Sequence, residues 1–230
     1  VIQFNEAYLT RTTKDGQGFD IDGLTKRTIV QYNYSHNNEG GFILLCEAGN
    51  PNPLRTNDGS VVRYNISQND RARIFQIGGK VTNASIYNNT IYIGEGQGDP
   101  LVVWHNQDKV WPRGIRYANN IFYNLGTGGY DLGRSEEVVF DHNYFFGRDP
   151  ESEPEDEHKL TCDPKLVNPG SGGVGRDTAD GYQLQADSPC IDTGALIPDH
   201  GGRDYWGHPV PSGAAPDRGA HEFQREESGG

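Results

Sequence analysis

Residues 30–36 read VQYNYSH, and this arrangement of an apolar residue followed three positions later by asparagine returns along the chain. It recurs as VRYNISQ (62–68), IYNNTIY (86–92), YANNIFY (117–123) and FDHNYFF (140–146). The aligned asparagines are Asn5, Asn33, Asn65, Asn89, Asn120 and Asn143. A unit that repeats every few tens of residues is typical of a solenoid. We interpret each asparagine as the corner of one coil, where its amide can hydrogen-bond to the coils above and below.

A second strand-like segment follows the asparagine in most units. These segments are GFDID (18–22), GFILL (41–45), ARIFQI (72–77), PLVVWHN (100–106) and GYDLG (129–133). They are short and carry no helical period, and several alternate between apolar and polar residues, which indicates β-strands. Two or three short strands per coil predict an all-β, single-stranded parallel β-helix of about six coils.

The composition excludes several classes of protein. Only 33% of the 230 residues are hydrophobic, 31 are glycine, and the mean hydropathy is -0.74, which argues against a helical bundle. The net charge of -12 repels phosphate backbones, so we expect no nucleic-acid partner. No apolar stretch approaches the roughly 18 residues of a membrane span, so we expect no membrane partner.

The repeat pattern ends near residue 147. An acidic segment at 149–159 and a glycine-rich segment at 170–181 follow, and the latter lacks the Lys-Ser/Thr pair of a phosphate-binding loop. We expect residues 1–147 to form the coils and residues 148–230 to form an irregular, loop-rich cap. The cap would close the open end of the solenoid and belong to the same domain.

The chain has three cysteines. Cys162 and Cys190 lie in the loop-rich C-terminal third, where a disulfide between them is one of two open alternatives for an exported protein. Cys46 lies in a strand-like run and is interpreted as a small buried residue. The chain starts on Val1 with strand-like sequence and no signal peptide, as expected of a mature chain or a fragment.

The closing segments SPCIDTG (188–194) and GGRDYWGHPVPSGAAPDRGAHEF (201–223), together with the asparagine column, resemble the pectate-lyase-like superfamily of right-handed parallel β-helices. Among its members the chain is most similar to exported bacterial repeat-containing proteins. The resemblance implies a right-handed winding and a secreted protein. The superfamily includes polysaccharide lyases, glycoside hydrolases, uronan epimerases, pectin esterases and phage tailspikes, so the resemblance leaves the reaction open.

Charged residues recur at the start of the second strand in the first three coils. In GFDID, Phe19 and Ile21 share one parity and are expected to face the core, so Asp20 and Asp22 face out. Adjacent coils lie about 4.8 Å apart, so the side chains of successive coils are expected to share one patch. The catalytic candidates are Asp20, Asp22, Glu39, His36, Arg71 and Arg73.

Such a patch suits the cleavage of a glycosidic bond. Two carboxylates can act as acid and base, or as acid and nucleophile, and arginine can hold a uronate or stabilise developing charge. His36 is a candidate base or shuttle. Purely structural roles are open as well: Asp20 and Asp22 as solvated edge acids, Arg71 and Arg73 in weak surface ion pairs, and His36 as a turn residue.

Further residues are candidates for substrate binding. Trp104, His105 and Trp111 lie in the stretch 93–114, where rings can stack on sugars, and Asp70 lies beside the arginines. The predicted partner is therefore a polysaccharide or oligosaccharide, bound by a monomer.

Hydrolysis is slightly favoured over β-elimination, and no cofactor is expected for it. A lyase would need a cation, and Asp20, Asp22 and Glu39 are the candidate calcium ligands for that reaction, with Arg71 or Arg73 as base. The sequence is also compatible with a non-catalytic glycan-binding or surface-scaffold module, and with a trimeric tailspike-like adhesin.

Overall fold

The computed structural model describes residues 1–47 and 55–225. Within these ranges the chain is all-β apart from one 3₁₀ helix at Arg176–Tyr182. Rung by rung, the strands are β1 (Ile2–Gln3), β2 (Glu6–Tyr8), β3 (Gln17–Ile21) and β4 (Thr25–Lys26); β5 (Ile29–Gln31), β6 (Tyr34–His36), β7 (Gly41–Glu47) and β8 (Asn57–Asp58); β9 (Val61–Arg63), β10 (Ile66–Gln68), β11 (Arg73–Gly79) and β12 (Val81–Thr82); β13 (Ser85–Tyr87), β14 (Thr90–Ile93) and β15 (Leu101–Asn106); β16 (Arg116–Ala118), β17 (Ile121–Asn124) and β18 (Tyr130–Asp131); β19 (Val139–Asp141) and β20 (Tyr144–Gly147). None of the helical residues described forms a segment long and apolar enough to cross a membrane.

The strands stack into four parallel sheets. Sheet A has the order β1-β5-β9-β13-β16-β19, sheet B β2-β6-β10-β14-β17-β20, sheet C β18-β15-β11-β7-β3, and sheet D β12-β8-β4. Each of the first five rungs visits sheets A, B and C in turn, so the chain is a parallel β-solenoid, and the predicted fold class is confirmed. It makes about four turns, slightly fewer than the six coils predicted. The right-handed sense stays a prediction.

The interior of the solenoid is a continuous apolar core. Matched rows run across the sheets, so that in sheet C Phe19 lies beside Ile43, Phe75, Val103 and Tyr130 on successive strands. Each of these side chains is buried. A single coil cannot cover its own apolar side chains. The coils above and below cover them, so stacking buries the whole row.

The asparagine column forms a hydrogen-bond ladder along one corner. The backbone N–H and the Nδ2 of each asparagine both donate to the Oδ1 of the asparagine on the next rung, at 2.9–3.1 Å. The residue before each asparagine has a positive φ between 49° and 60°, which turns the chain sharply from sheet A into sheet B. The last asparagine, Asn143, donates to Asp156 instead, and a carboxylate can end the ladder because it only accepts.

The C-terminal segment has two locations. Residues near Asp156 and Leu160 lie over the last rung, where Leu160 forms a bridge with Tyr144. The remainder runs along the side of the solenoid instead of closing its end, and its apolar residues cover the outer face of sheet B. Hydrogen bonds from Gly175 N to Glu6 (2.7 Å) and from Ala220 N to Thr90 Oγ1 (2.9 Å) attach this segment to the first and fourth rungs. Sheet C is therefore the long sheet whose outer face this segment leaves open.

Candidate active site on the outer face of sheet C

A row of outward side chains crosses sheet C. The strand register places Asp20 on β3 beside Leu44 on β7, Gln76 on β11, Trp104 on β15 and Asp131 on β18. The row faces outward because the residues on either side of it point into the core. We use the name sheet-C strip for Asp20, Asp22, Arg73, Gln76 and Trp104.

The two acids of the strip differ in environment. Asp20 and Asp22 are both exposed and project from the same face of β3 and its end. Partial burial, together with the negative charges of Asp22 and Asp15, raises the pKa of Asp20. Two neighbouring carboxylates of which one binds its proton more tightly provide a proton donor and an anion side by side.

A guanidinium and an indole lie on the neighbouring strands. The Arg73 guanidinium lies 5.3 Å from the centre of the Trp104 ring. Its Nη2 donates to the backbone carbonyls of Thr13 and Lys14, so the loop before β3 holds it in place. On β11, Gln76 accepts a hydrogen bond of 2.8 Å from Gln17. The strip thus combines carboxylates, amides, a cation and an aromatic face, which are the groups that bind and cleave sugars.

Two glycines at the start of β7 allow close backbone approaches near Arg73. A Cβ on Gly40 would lie 2.4 Å from the backbone carbon of Gly16, and a Cβ on Gly41 would lie 1.7 Å from the Arg73 carbonyl oxygen. Gly41 also has a φ of +131°, which side chains disfavour. Gly40 therefore lets the loop before β3 pass over the start of β7, and Gly41 lets the backbone of β11 approach closely.

A cleft adjoins the strip where β7, β11 and β15 begin. It has a volume of about 440 Å³, and Glu39, Arg71, Gln97 and Asp99 contribute to its lining. Arg71 Nη2 donates to Gln97 at 3.3 Å, and Glu39 lies 3.7 Å from Arg11. The structure therefore brings Glu39 and Arg71 together as expected, but in the cleft and not among the strip residues.

His36 is placed away from the strip. It lies on β6 in sheet B and is only 3% exposed, stacked between Tyr8 (4.9 Å) and Tyr34 (4.5 Å). Its Nε2 lies 2.9 Å from a carboxylate oxygen of Glu6, which the C-terminal segment covers through Gly175. The sequence placed His36 near Glu39 because only three positions separate them, but the corner between sheets B and C directs them to different faces.

Two predicted substrate-binding residues are buried. Asp70 is 0% exposed and accepts hydrogen bonds from Asn38, so it cannot touch a substrate. His105 is 1% exposed, and its Nε2 lies 2.8 Å from the Tyr117 hydroxyl. Because Trp104 points out, the next residue on β15 must point in, and burial lowers the pKa of His105 to about 4.

The other predicted binding residue, Trp111, lies in a separate depression. A Cβ on Gly133 would lie 2.0 Å from the Trp111 ring, so the indole packs directly on that glycine. Arg113, Arg134 and Glu136 line the same depression, whose volume is about 330 Å³. The strip residue that sequence reasoning missed is Gln76, along with its hydrogen-bond partner Gln17. Aligning ARIFQI with PLVVWHN would have placed Gln76 beside Trp104.

The cysteines are free thiols, so the predicted Cys162–Cys190 disulfide is not formed. Cys190 is buried within the C-terminal segment, and burial raises its pKa, whereas Cys162 is exposed with its Sγ 2.8 Å from the Tyr144 hydroxyl. Burial and the neighbouring acids raise the pKa of Cys46 to about 12, which excludes it as a nucleophile. The carboxylates of Asp20, Asp22 and Glu39, the candidate calcium ligands, are not gathered into one cluster in the described part of the chain.

Comparison with known proteins gives one clear relative. No family model matches the chain. A lacto-N-biosidase from Bifidobacterium longum subsp. longum is 28% identical over 250 residues, an alignment that covers 96% of this chain. The chain spans about 15% of the length of this relative. The similarity therefore concerns nearly all of this chain and a small part of the relative.

Proposed function

We propose that this chain acts on glycans as a glycoside hydrolase, with the sheet-C strip as its active site. The observation that carries the proposal is the pair Asp20 and Asp22, in which Asp20 has a raised pKa on an open sheet face beside Arg73 and Trp104. The relative that matches 96% of the chain is a lacto-N-biosidase, a glycoside hydrolase, which supports the same chemistry. An oligosaccharide is the substrate class that follows.

The two acids would have different catalytic roles. Asp20, which binds its proton more tightly, donates that proton to the glycosidic oxygen as the bond to the anomeric carbon breaks. Asp22 either attacks the anomeric carbon or activates a water for that attack. Two residues along a strand separate their Cα atoms by about 6.7 Å. Retention and inversion are distinguished by the separation of the carboxyl groups instead, so the stereochemical course is left to product analysis.

Arg73 and Trp104 would bind the sugar. The indole offers a flat apolar surface for a sugar ring, and the guanidinium can donate to hydroxyl or carboxylate oxygens. Gln76 lies between the acids and the indole in the strand register, so its amide is placed to hydrogen-bond a sugar that spans the row.

The wider assignment is part of the same proposal. We place the chain among the right-handed, pectate-lyase-like β-helices and expect it to be secreted, to act as a monomer and to need no cofactor at the acid pair. A polysaccharide lyase is the competing enzyme, and an assay for unsaturated uronate would detect it.

The test replaces the acids one at a time. Asp20→Asn and Asp22→Asn should each lower kcat on an oligosaccharide substrate by about 100-fold or more. Asp131→Asn is the matched control, because Asp131 is exposed in the same outward row at the far strand. Full activity in both acid variants would overturn the proposal. Saccharide binding without turnover in the unmodified protein would favour the non-catalytic binding module.

A further inference from the structure

Two histidines and a carboxylate converge at the end of the solenoid, far along the chain from the strip residues. Asp141 ends β19, His142 follows it at the corner of the last rung, and His158 comes from the segment after β20. The Nδ1 atoms of His142 and His158 lie 2.6 Å and 3.1 Å from the same oxygen of Asp141, Oδ1. The three atoms lie within 4.8 Å of one another.

From this arrangement we propose that Asp141, His142 and His158 bind a divalent transition-metal ion, with zinc as the ion they suit best. Two imidazoles and one carboxylate are a common donor set for such ions. Tetrahedral zinc with bonds of about 2.0–2.1 Å places its ligand atoms about 3.3 Å apart. The two distances to Asp141 Oδ1, 2.6 Å and 3.1 Å, need to increase only slightly to reach that spacing.

The surroundings hold the donors in position. The backbone N–H groups of His142 and His158 donate to the same oxygen of Asp156, at 3.1 Å and 3.0 Å. Arg116 donates to the other oxygen of Asp141, Oδ2, at 2.8 Å, which orients the carboxylate and leaves Oδ1 free to face the imidazoles. The two imidazole rings are stacked, with centroids 4.2 Å apart. Supporting contacts of this kind are what fix metal ligands in proteins.

The site is open to solvent. Asp141 and His142 are about one-quarter exposed, at 23% and 25%, and His158 is 53% exposed. An ion can therefore enter, and a water can complete its coordination. The ion would join the last rung to the segment that covers it, and this would make it a clamp at the end of the solenoid.

A second group of similar composition is not a metal site, because its hydrogen bonds occupy one of the donor atoms. Asp204, His208 and His221 also lie close together. The Nδ1 of His221 accepts the backbone N–H of Leu184 at 3.0 Å, so its Nε2 carries the proton and is not a metal ligand. In the proposed site, by contrast, both Nδ1 atoms face the position of the ion.

The experiment measures zinc binding by the full-length chain after treatment with a chelator. Calorimetric titration with zinc chloride, with metal content measured after dialysis, should give one zinc per chain at neutral pH. His158→Ala should weaken binding at least tenfold. His208→Ala is the matched control and should bind zinc as the unmodified protein does.

Cobalt reports on the same site by its spectrum. The cobalt-loaded protein should show visible absorption bands that disappear in His158→Ala and in Asp141→Asn. Zinc affinity that is undetectable in the unmodified protein, or equal in His158→Ala, would overturn the proposal, as would loss of binding in His208→Ala alone. Because His158 is exposed, circular dichroism should show its variant folded, and neither measurement depends on glycan cleavage.

Discussion

Asp70 occupies the position of an asparagine in a second ladder. One of its oxygens, Oδ1, accepts both the backbone N–H and the Nδ2 of Asn38, at 3.0 Å and 2.9 Å. These are the same two bonds that Asn65 accepts from Asn33 in the main ladder. Asp70 is fully buried, and burial raises its pKa to about 7. The ionisable carboxyl group of Asp70 thus occupies a position where the uncharged amide of an asparagine could accept the same two hydrogen bonds.

Replacing Asp70 by Asn should remove a pH dependence of stability. The Oδ1 of the new amide accepts from Asn38, and its Nδ2 can donate to Ser67 as Asn38 Nδ2 donates to Ser35 at 3.0 Å. The raised pKa means that the folded state holds the proton more tightly, so the stability linked to Asp70 is present below about pH 4 and lost as pH rises through about 7. Asp70→Asn should therefore gain on the order of 4 kcal/mol over the unmodified protein between pH 4 and pH 8.

Urea unfolding at the two pH values measures this difference. Asp131→Asn, at an exposed position, serves as the control and should leave the pH dependence unchanged. A variant that lost the same stability at both pH values would show that the network needs the carboxylate itself.

Removing an asparagine from the middle of the main ladder should destabilise the protein strongly. In Asn65→Ala, the backbone N–H and Nδ2 of Asn33 lose their acceptor, and the Val30 carbonyl loses a donor. All of these groups are buried, so the variant should lose about 2–4 kcal/mol of unfolding free energy in urea titration. Asn5→Ala should lose much less, because Asn5 is exposed at the first rung and accepts from no rung before it. Equal losses in the two variants would contradict the ladder's role.

The sequence was sufficient to predict the solenoid but not the final neighbours of each side chain. The spacing of Asn33, Asn65 and Asn89 indicated the corner, because every rung must satisfy the same buried amides. The parity of Phe19 and Ile21 gave the outward direction of Asp20 and Asp22, since side chains alternate along a strand.

The errors come from corners and from the C-terminal segment. His36 precedes a positive-φ residue, Asn37, that turns the chain into sheet C. No local sequence pattern indicates to which sheet the residue before such a turn belongs. The burial of His36 depends on Gly175, which is 139 positions away in the sequence and becomes a neighbour only on folding. The position of this segment along sheet B is set by such distant contacts, and periodicity carries no information about them.

Trp104 should affect substrate binding more than turnover. Trp104→Ala removes the aromatic face and the contact with Arg73 while the acids remain, so KM should rise about 10-fold with kcat nearly unchanged. Trp111→Ala tests the second depression under the same assay, and the strip assignment predicts no change in KM for it. An equal effect of the two substitutions would place the substrate elsewhere.

Asp15 should set the alkaline limit of activity without contacting the substrate. Its charge is one cause of the raised pKa of Asp20, after burial and Asp22. Asp15→Asn removes that charge, so the pKa of Asp20 falls and the acid loses its proton at lower pH. The alkaline limb of the profile of kcat/KM against pH, which reports the pKa of the essential acid in the free enzyme, should move to lower pH while the maximum rate stays similar. Raising the salt concentration should move the limb of the unmodified enzyme in the same direction, because Asp15 is exposed and its charge is screened. An alkaline limb that did not respond to either change would mean that another group, and not Asp20, donates the proton.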